Sequence, residues 1–437
     1  MVTILILACD EAELAIRAVE SVRNSVGETE IEVVLVDNGS SDGLSEWAST
    51  QGDITYVYMD NGVEPWSKVL NEVINELPIT GDFVVMHANQ CMAKGCMESL
   101  VRNLYSDEMI AMISCPVCEI GTEFDPKGAD HIENVMKVNA GFYMMKKEIY
   151  DKIGGYEEKI YSLFEQSFDI ALRLIDQGYR LVVDHGTCVY ADSVRSLPEP
   201  KATISWANRD TLEIERKWGI HYFNTHPNMD LIEMLDSDND EEIRVLDIGC
   251  DCGANLFGVK SKYPNAITYG CDISEGAVKT AAHFSDRAFV NNIEEESLDI
   301  EDGSLDYIMF GDVLEHLHDP AKTLNYIQRF LKPNGRVVAS IPNLMHISVM
   351  KQILNGDFTY TETGLLDKTH IHMFTYNEII RMFKSCGYDI ECAGQTVVPI
   401  TQEDEALIGK LTELGEGTER FMYETFQYQI RAKKSRM

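Results

Sequence analysis

Ten residues constrain this chain more than any others: Arg244 to Gly253, reading RVLDIGCDCG. Arg244 to Ile248 is a short apolar run of the kind that forms a buried parallel strand. Asp247, Gly249 and Gly253 mark its end and the turn, and a helix-compatible segment opens at Ala254. A strand running into a glycine turn and a helix start is what a nucleoside cofactor needs. Glycine lets the backbone approach the ligand, and the free amides of the helix start present partial positive charge. The spacing speaks against a dinucleotide site. That fingerprint wants G-x-G-x-x-G, and Asp251 stands where the second glycine should be.

The acid ahead of the first glycine is similar to motif I of class I S-adenosylmethionine (SAM) methyltransferases, roughly (D/E)-x-G-x-G-x-G. The order of the downstream segments strengthens the likeness. Ile267 to Asp272 is an apolar segment ending in an acid about twenty residues past the loop, where a ribose-binding carboxylate belongs. A third strand, Ala288 to Asn291, leads into Asn292. A fourth, Leu305 to Phe310, runs into GDVLEHLHDP, in which Asp319 caps a helix with Pro320 at its first position. LKPNGRVVASIPN then resembles the family's fifth-strand segment, and the likeness covers Arg244 to about Lys434. It implies a Rossmann-like domain binding SAM through Asp247, Gly249, Cys250 and Gly253 in the loop. Asp272 and Ile273 would lie at the ribose, Asn292 at the adenine edge and Asp312 at the methionine end.

A length of 437 residues suits two or three domains. Seventy-two acids against 37 Lys and Arg leave a net charge of −35, which argues against non-specific binding to nucleic acid or anionic lipid. The N-terminus, MVTILILACDE, has no basic region, and its apolar run is too short for a signal peptide or a membrane span. A cytoplasmic chain is expected. Eleven cysteines, an odd number scattered among apolar residues, fit reduced thiols. Cys115 and Cys118 form a CPVC pair with Cys91 and Cys96 nearby. Without a second CxxC or a metal-spaced histidine pair, core thiols are the expectation.

In the first half, Val2 to Ala8 reads as a buried strand and Glu11 to Ser25 as an amphipathic helix. Ile31 to Val36 is a second strand, ending in the polar cluster DNGSSDG (Asp37 to Gly43). On its own the cluster reads as an Asx-rich turn. Gly81 to Val101, Asn139 to Glu158, Phe168 to Asp184 and the RKWG at Arg216 to Gly219 complete a pattern over about residues 1 to 220. That pattern resembles the family 2 glycosyltransferases, which have the GT-A fold. The likeness implies sugar-nucleotide contacts from Ala8, Asp10, Asp37 and Asn89, with Asp37 at the base. The departures matter as much. The family's D-x-D holds a divalent cation that neutralises the diphosphate. Here the triplet is His87-Ala88-Asn89, so Mn²⁺ or Mg²⁺ would rest on Asn89 and a neutral histidine. The catalytic E-D pair falls on Gln166 and Ser167, flanked by Glu165 and Asp169, and a one-residue slip would make Glu165 the base. Two readings stay open: glycosyl transfer, and a non-catalytic domain that binds glycan or nucleotide.

Asp230 to Glu242 carries seven acids and no Lys or Arg, and reads as a helix end and solvated linker. Trp218, Tyr222 and Phe223 just before it suit a domain join or a lid over the cofactor. Methylating a sugar hydroxyl wants a general base near neutrality, which is histidine's range. His316 and His318, His346, and His370 and His372 are the candidates. Gly364 to Thr375 (GLLDKTHIHMFT) resembles a segment of methyltransferases from bacterial polysaccharide clusters. That likeness suggests Asp367 and His370 as an acid-oriented base, against a bracing role for the loop. His316 reads as structural or catalytic. Thr375-x-x-Glu378 opens a further helix, and ETFQYQIRAKK alternates as an edge strand does and would complete the domain.

The sequence therefore predicts an α/β chain with a GT-A-like domain over 1–222, an acidic linker over 223–243 and a Rossmann-like methyltransferase domain over 244–437. The expected activity is bifunctional: glycosyl transfer and SAM-dependent O-methylation on a bacterial surface glycan, in capsule, lipopolysaccharide or flagellar glycan. The alternative keeps the methyltransferase and makes the first domain a binding module. N- or C-methylation is a third reading. The partners are a sugar or glycan acceptor and a nucleotide-sugar donor, with peripheral membrane contact only through a lipid-linked acceptor.

Overall fold

The computed structural model describes residues 1–25, 27–59, 64–77, 79–126, 131–191, 203–221 and 223–435, and divides into two compact units, Met1–Thr225 and His226–Met437. Tyr222, the expected domain limit, lies outside the described residues.

The first unit contributes strands β1 (Val2–Ala8), β2 (Ile31–Asp37), β3 (Ile54–Tyr58), β4 (Phe83–His87), β5 (Gln90–Met92), β6 (Ile110–Ser114), β7 (Val117–Glu119), β8 (Ile132–Val135), β9 (Phe142–Met145), β10 (Arg180–Asp184) and β11 (Val189–Ala191). Eight form a mixed sheet in the order β3-β2-β1-β4-β9-β6-β10-β8, and β5-β11-β7 form a small second sheet. The apolar runs of β1, β2 and β4 pair in parallel. All of β1 and β4 is buried, as a sheet covered on both faces requires. The helix Ala12–Ser25 lays Leu14, Ala18 and Val22 against this sheet. These parallel strands deliver their C-terminal ends, and with them Asp37 and His87, to one edge.

In the second unit, β12 (Arg244–Ile248), β13 (Ile267–Asp272), β14 (Arg287–Val290), β15 (Leu305–Gly311), β16 (Leu331–Pro342), β17 (Tyr388–Val397) and β18 (Thr425–Lys434) form one sheet in the order β14-β13-β12-β15-β16-β18-β17. The first five are parallel, and β18 is antiparallel to both of its neighbours. The order reverses between β12 and β15, and that switch point is where open α/β sheets bind ligands. Asp319 caps the helix Pro320–Ile327 and Thr375 caps Tyr376–Ser385, each accepting the backbone N–H three residues on.

Two expectations need correction. The alternating C-terminal segment is not an edge: β18 lies between β16 and β17. Its glutamines face protein partners, not water. Gln427 Nε2 donates to Asp312 Oδ1 at 2.7 Å, and buried Gln429 donates to Thr396 Oγ1 at 3.1 Å. The acidic stretch is more than a linker. Its helix Met229–Glu233 buries Leu231 and Ile232, with Leu235, against Val245, Val259 and Tyr307, because its apolar residues share one face. Trp218 and Phe223 serve the first unit: Phe223 packs edge-on against Phe168, and Trp218 Nε1 donates to Asp169.

Candidate functional site

At the end of β12 the backbone turns back under the crevice. Gly249 and Cys250 both donate their N–H to the Cys271 carbonyl, at 2.8 and 3.1 Å. Gly249 has φ 70°, and a Cβ there would stand 2.5 Å from Val313 Cγ2. At Gly253, φ 89°, a Cβ would come within 2.9 Å of Ala281 Cα. Asp251 adopts φ 45°, a left-handed conformation that Asp tolerates. The backbone shape that glycine would give is thus kept. Cys250 points away from the loop, packing with Leu256 and Ala281. Asp272 ties the crevice together: Oδ2 accepts Asp251 N–H at 3.0 Å and Oδ1 accepts Ser274 N–H at 2.9 Å. Ile273 beside it is 74% exposed, an apolar lip on the crevice.

Asp247 is fully buried, and neither carboxyl oxygen has a hydrogen-bond partner. Burial pushes its carboxyl up to about 8; the Asn255 amide lies close enough to oppose that shift without making a good hydrogen bond. Asn292 accepts Glu294 N–H through its own Oδ1, capping a turn. Its neighbour Asn291, which the sequence did not single out, holds a buried Oδ1 with no partner. Asp312 is a second left-handed acid, φ 57°, bonded by Ser340 and Gln427, and burial pushes it up to about 6. SAM carries a sulfonium and an ammonium, and an orphaned buried carboxyl beside a glycine cradle fits such a cation.

Beyond Asp312, His316 and His370 meet ring to ring at 4.8 Å. His370 does not bond Asp367, contrary to the expected pair. Asp367 accepts from Thr369 Oγ1 at 2.6 Å and Thr369 N–H at 2.8 Å, because the tight turn supplies nearer donors. Burial raises the Asp367 carboxyl, but the Thr369 bonds and the two histidines outweigh it and hold it low. The acid facing His370 is Glu315, missed by the sequence reading although it immediately precedes the singled-out His316 in LEHLHDP. His346 caps the helix Ile347–Leu354, His318 pairs with Glu294, and His372 reaches the His318 carbonyl.

In the first unit the corresponding acids are occupied. Asp37 is buried, accepting Tyr56 O–H at 2.6 Å and Ser40 N–H at 2.8 Å. Asp10, φ 54°, accepts from Ser41, and the Ala8 carbonyl takes Asn38 N–H. Asp169 is fully buried under Arg173 at 2.8 Å, Lys217 at 2.7 Å and Trp218 at 3.0 Å, so it ties helices and cannot meet an acceptor. Gln166 spends its amide on the carbonyls of Glu157 and Ile160. Glu165 is half-buried, raised by that burial. Lys137, lying over the rings of Phe164 and Phe168, is brought down to about 8 by burial, with Glu165 opposing the shift.

The triplet at the end of β4 does not fit Mn²⁺ or Mg²⁺. Burial pushes His87 down to about 4, so it is neutral, and its Nδ1 accepts Asn89 N–H at 3.4 Å. Asn89 offers one buried neutral oxygen, and the acid near His87 is Glu11, 3.9 Å from its Nε2. Hard cations want several charged oxygens. All eleven cysteines are free thiols, Cys115 and Cys118 included. No described helix is long and apolar enough to cross a membrane.

Comparison with known proteins matches residues 3–168 to glycosyl transferase family 2 and residues 220–393 to a methyltransferase domain. An uncharacterised 37.1 kDa transposon protein of Streptomyces fradiae is 28% identical over 196 residues, 44% of this chain and 55% of that protein. A ubiquinone biosynthesis O-methyltransferase of Acinetobacter baumannii is 27% identical over 164 residues, 36% of this chain and 65% of that one. The chain thus spans less than two thirds of either relative's length. Among solved structures, GalNAc-T7 with UDP, GalNAc and Mn²⁺ is similar at a TM-score of 0.39 and 13% identity, over 44% of each chain. The chain joins a GT-A-like domain that matches glycosyl transferase family 2 to a Rossmann-like domain that matches a methyltransferase family.

Proposed function

We propose that the second unit methylates a hydroxyl of a sugar in a bacterial surface glycan, and that the first unit binds the glycan without catalysing transfer. One observation carries the methyl-transfer half: the buried, unpartnered carboxyl of Asp247 beneath the Gly249 turn. When bound, SAM supplies an activated methyl group on a sulfonium sulfur. Asp247 would meet the cofactor's positive charge, Asp272 and Ile273 its ribose, and Asn291 Oδ1, with Asn292 beside it, the adenine amine. Gly249 and Gly253 give backbone access, and Asp312 borders the methionine end. These residues position the cofactor, and the chemistry then depends on an acceptor held in line. Glu315, His316 and His370 are the groups that would activate the acceptor oxygen.

A sugar acceptor is supported by Phe358 and Tyr360, 41% and 53% exposed, on the segment leading into the Gly364–Thr375 loop. Exposed rings suit the apolar faces of sugars. The test is methyl transfer from labelled SAM to nucleotide sugars and oligosaccharides. An alkali-stable methyl ether is the expected product, and an N- or C-methyl product would overturn the oxygen reading. Glycosyl transfer by the first unit, the second reading, is favoured by Glu165 beside Lys137: a half-buried acid with a raised pKa suits a general base. Release of a nucleoside diphosphate, lost in Glu165→Gln, would establish it.

A further inference from the structure

One group of side chains in the second unit has no structural explanation. The Glu315 carboxyl is fully buried, and neither of its oxygens has a hydrogen-bond partner. Leaving a carboxylate so is costly unless a cation meets it. No Lys or Arg among the described residues pairs with it. The backbone carbonyl of Glu315 takes the N–H groups of Ile371 at 2.8 Å and His372 at 3.0 Å, which pins the histidine loop in place.

The histidines are oriented too. His370 Nδ1 lies 3.2 Å from the Leu365 carbonyl. A carbonyl only accepts, so the proton is on Nδ1 and Nε2 carries a lone pair. That Nε2 stands 3.9 Å from Glu315 Oε1. A carboxyl oxygen and an imidazole lone pair thus face each other inside the fold. His316 repeats the pattern: its Nδ1 lies 3.2 Å from both the Thr369 carbonyl and Thr369 Oγ1, whose own proton goes to Asp367, so Nδ1 is the donor and Nε2 carries the lone pair of the neutral ring. One donor atom from each of Glu315, His316 and His370 lies within 4.8 Å of the other two. A backbone carbonyl behind the far ring nitrogen is the outer support that metal-ligating histidines have.

We propose that Glu315, His316 and His370 hold a divalent transition-metal ion. Two imidazoles and one carboxylate suit zinc, cobalt or iron better than Mg²⁺ or Ca²⁺. Ligands about 2.1 Å from one tetrahedral ion lie about 3.4 Å apart, so binding would draw the Glu315–His370 pair together by about 0.5 Å and the widest pair by up to about 1.4 Å. Three protein ligands leave an open position, the hallmark of catalytic sites. The proposal deepens the sugar O-methylation reading and rests on it: the open position takes the sugar hydroxyl, lowering its pKa so that its proton passes to solvent water while the oxygen keeps the electron pair.

The experiment is a Co²⁺ titration of the metal-free full-length chain, read by d–d absorption, with SAM titrated calorimetrically into the same preparation. One equivalent of Co²⁺ is expected, without a thiolate charge-transfer band. Glu315→Gln, a near-isosteric change, should weaken it by at least about tenfold, as should the half-exposed His316→Ala, which decides the matter if the first variant fails to fold. No Co²⁺ binding, a thiolate band, or affinity unchanged within about twofold in His316→Ala would overturn the ion site. SAM binding in metal-free protein would then leave the methyltransferase reading standing. Absence of SAM binding would sink that reading whatever the metal does.

Discussion

The two units place acids at the C-terminal ends of parallel strands in much the same way, and then treat them oppositely. Each puts an Asp in the left-handed region in the loop after a central strand: Asp10 after β1, Asp251 after β12 and Asp312 after β15. In the first unit, Asp37 and Asp169 are saturated by Tyr56, Ser40, Arg173, Lys217 and Trp218. In the second, Asp247 and Glu315 are buried with empty oxygens. Burying a carboxylate without a partner is expensive, which supports the proposal that these two groups meet cations that arrive from outside. The first unit has satisfied Asp37 and Asp169 internally, which favours a binding role over a catalytic one.

The sharpest way to break this contrast is Asp169→Ala. If Asp169 is a tie, its loss removes the buried acid that Arg173, Lys217 and Trp218 share and should cost about 3 kcal/mol, seen as a lower melting transition of the first unit. SAM affinity should stay within about twofold. Next comes Asp272→Ala, which removes the acid bridging the loop and the expected ribose contact. SAM affinity should fall about ten- to a hundredfold, on the scale of about 1.5–3 kcal/mol for a charged hydrogen bond. A smaller effect separates Asp247 from a structural acid. Its carboxyl is pushed up to about 8, so the free protein binds a proton there that the cationic cofactor must displace. SAM affinity should therefore rise by up to about tenfold per pH unit from about pH 6 towards 8 and level off above it. Asp247→Asn should flatten that rise. The smallest effect is none: adding Mn²⁺ should leave nucleotide-sugar binding unchanged within about twofold, since His87 and Asn89 supply no charge. Tighter binding with Mn²⁺ would restore the first unit as a metal-dependent transferase.

Both folds were legible because they are written in long-range order. Strand, glycine turn and strand-end acid recur at the spacing of a doubly wound sheet, and Asp247, Gly249, Gly253 and Asp272 stand where that order puts them. The place of β18 was less legible. A strand whose polar face is hydrogen-bonded to Asp312 and Thr396 has the same alternation as one facing water. The candidate site was readable only in part. His370 could be singled out by residue type, but its partner depends on how the loop folds. Asp367 is three residues away and turns to Thr369, whereas Glu315, 55 residues earlier, is brought beneath the ring. Asp169 shows the converse error: an acid beside a catalytic-looking position is locked by a helix that the local sequence does not reveal.

The methyl-transfer proposal stands or falls on whether the second unit's crevice takes a cationic cofactor. SAM titrated calorimetrically into the full chain near pH 8 tests it most directly. One site of micromolar affinity is expected, weakened by Asp272→Ala in protein that melts normally. No heat of binding in well-folded wild-type protein would contradict it.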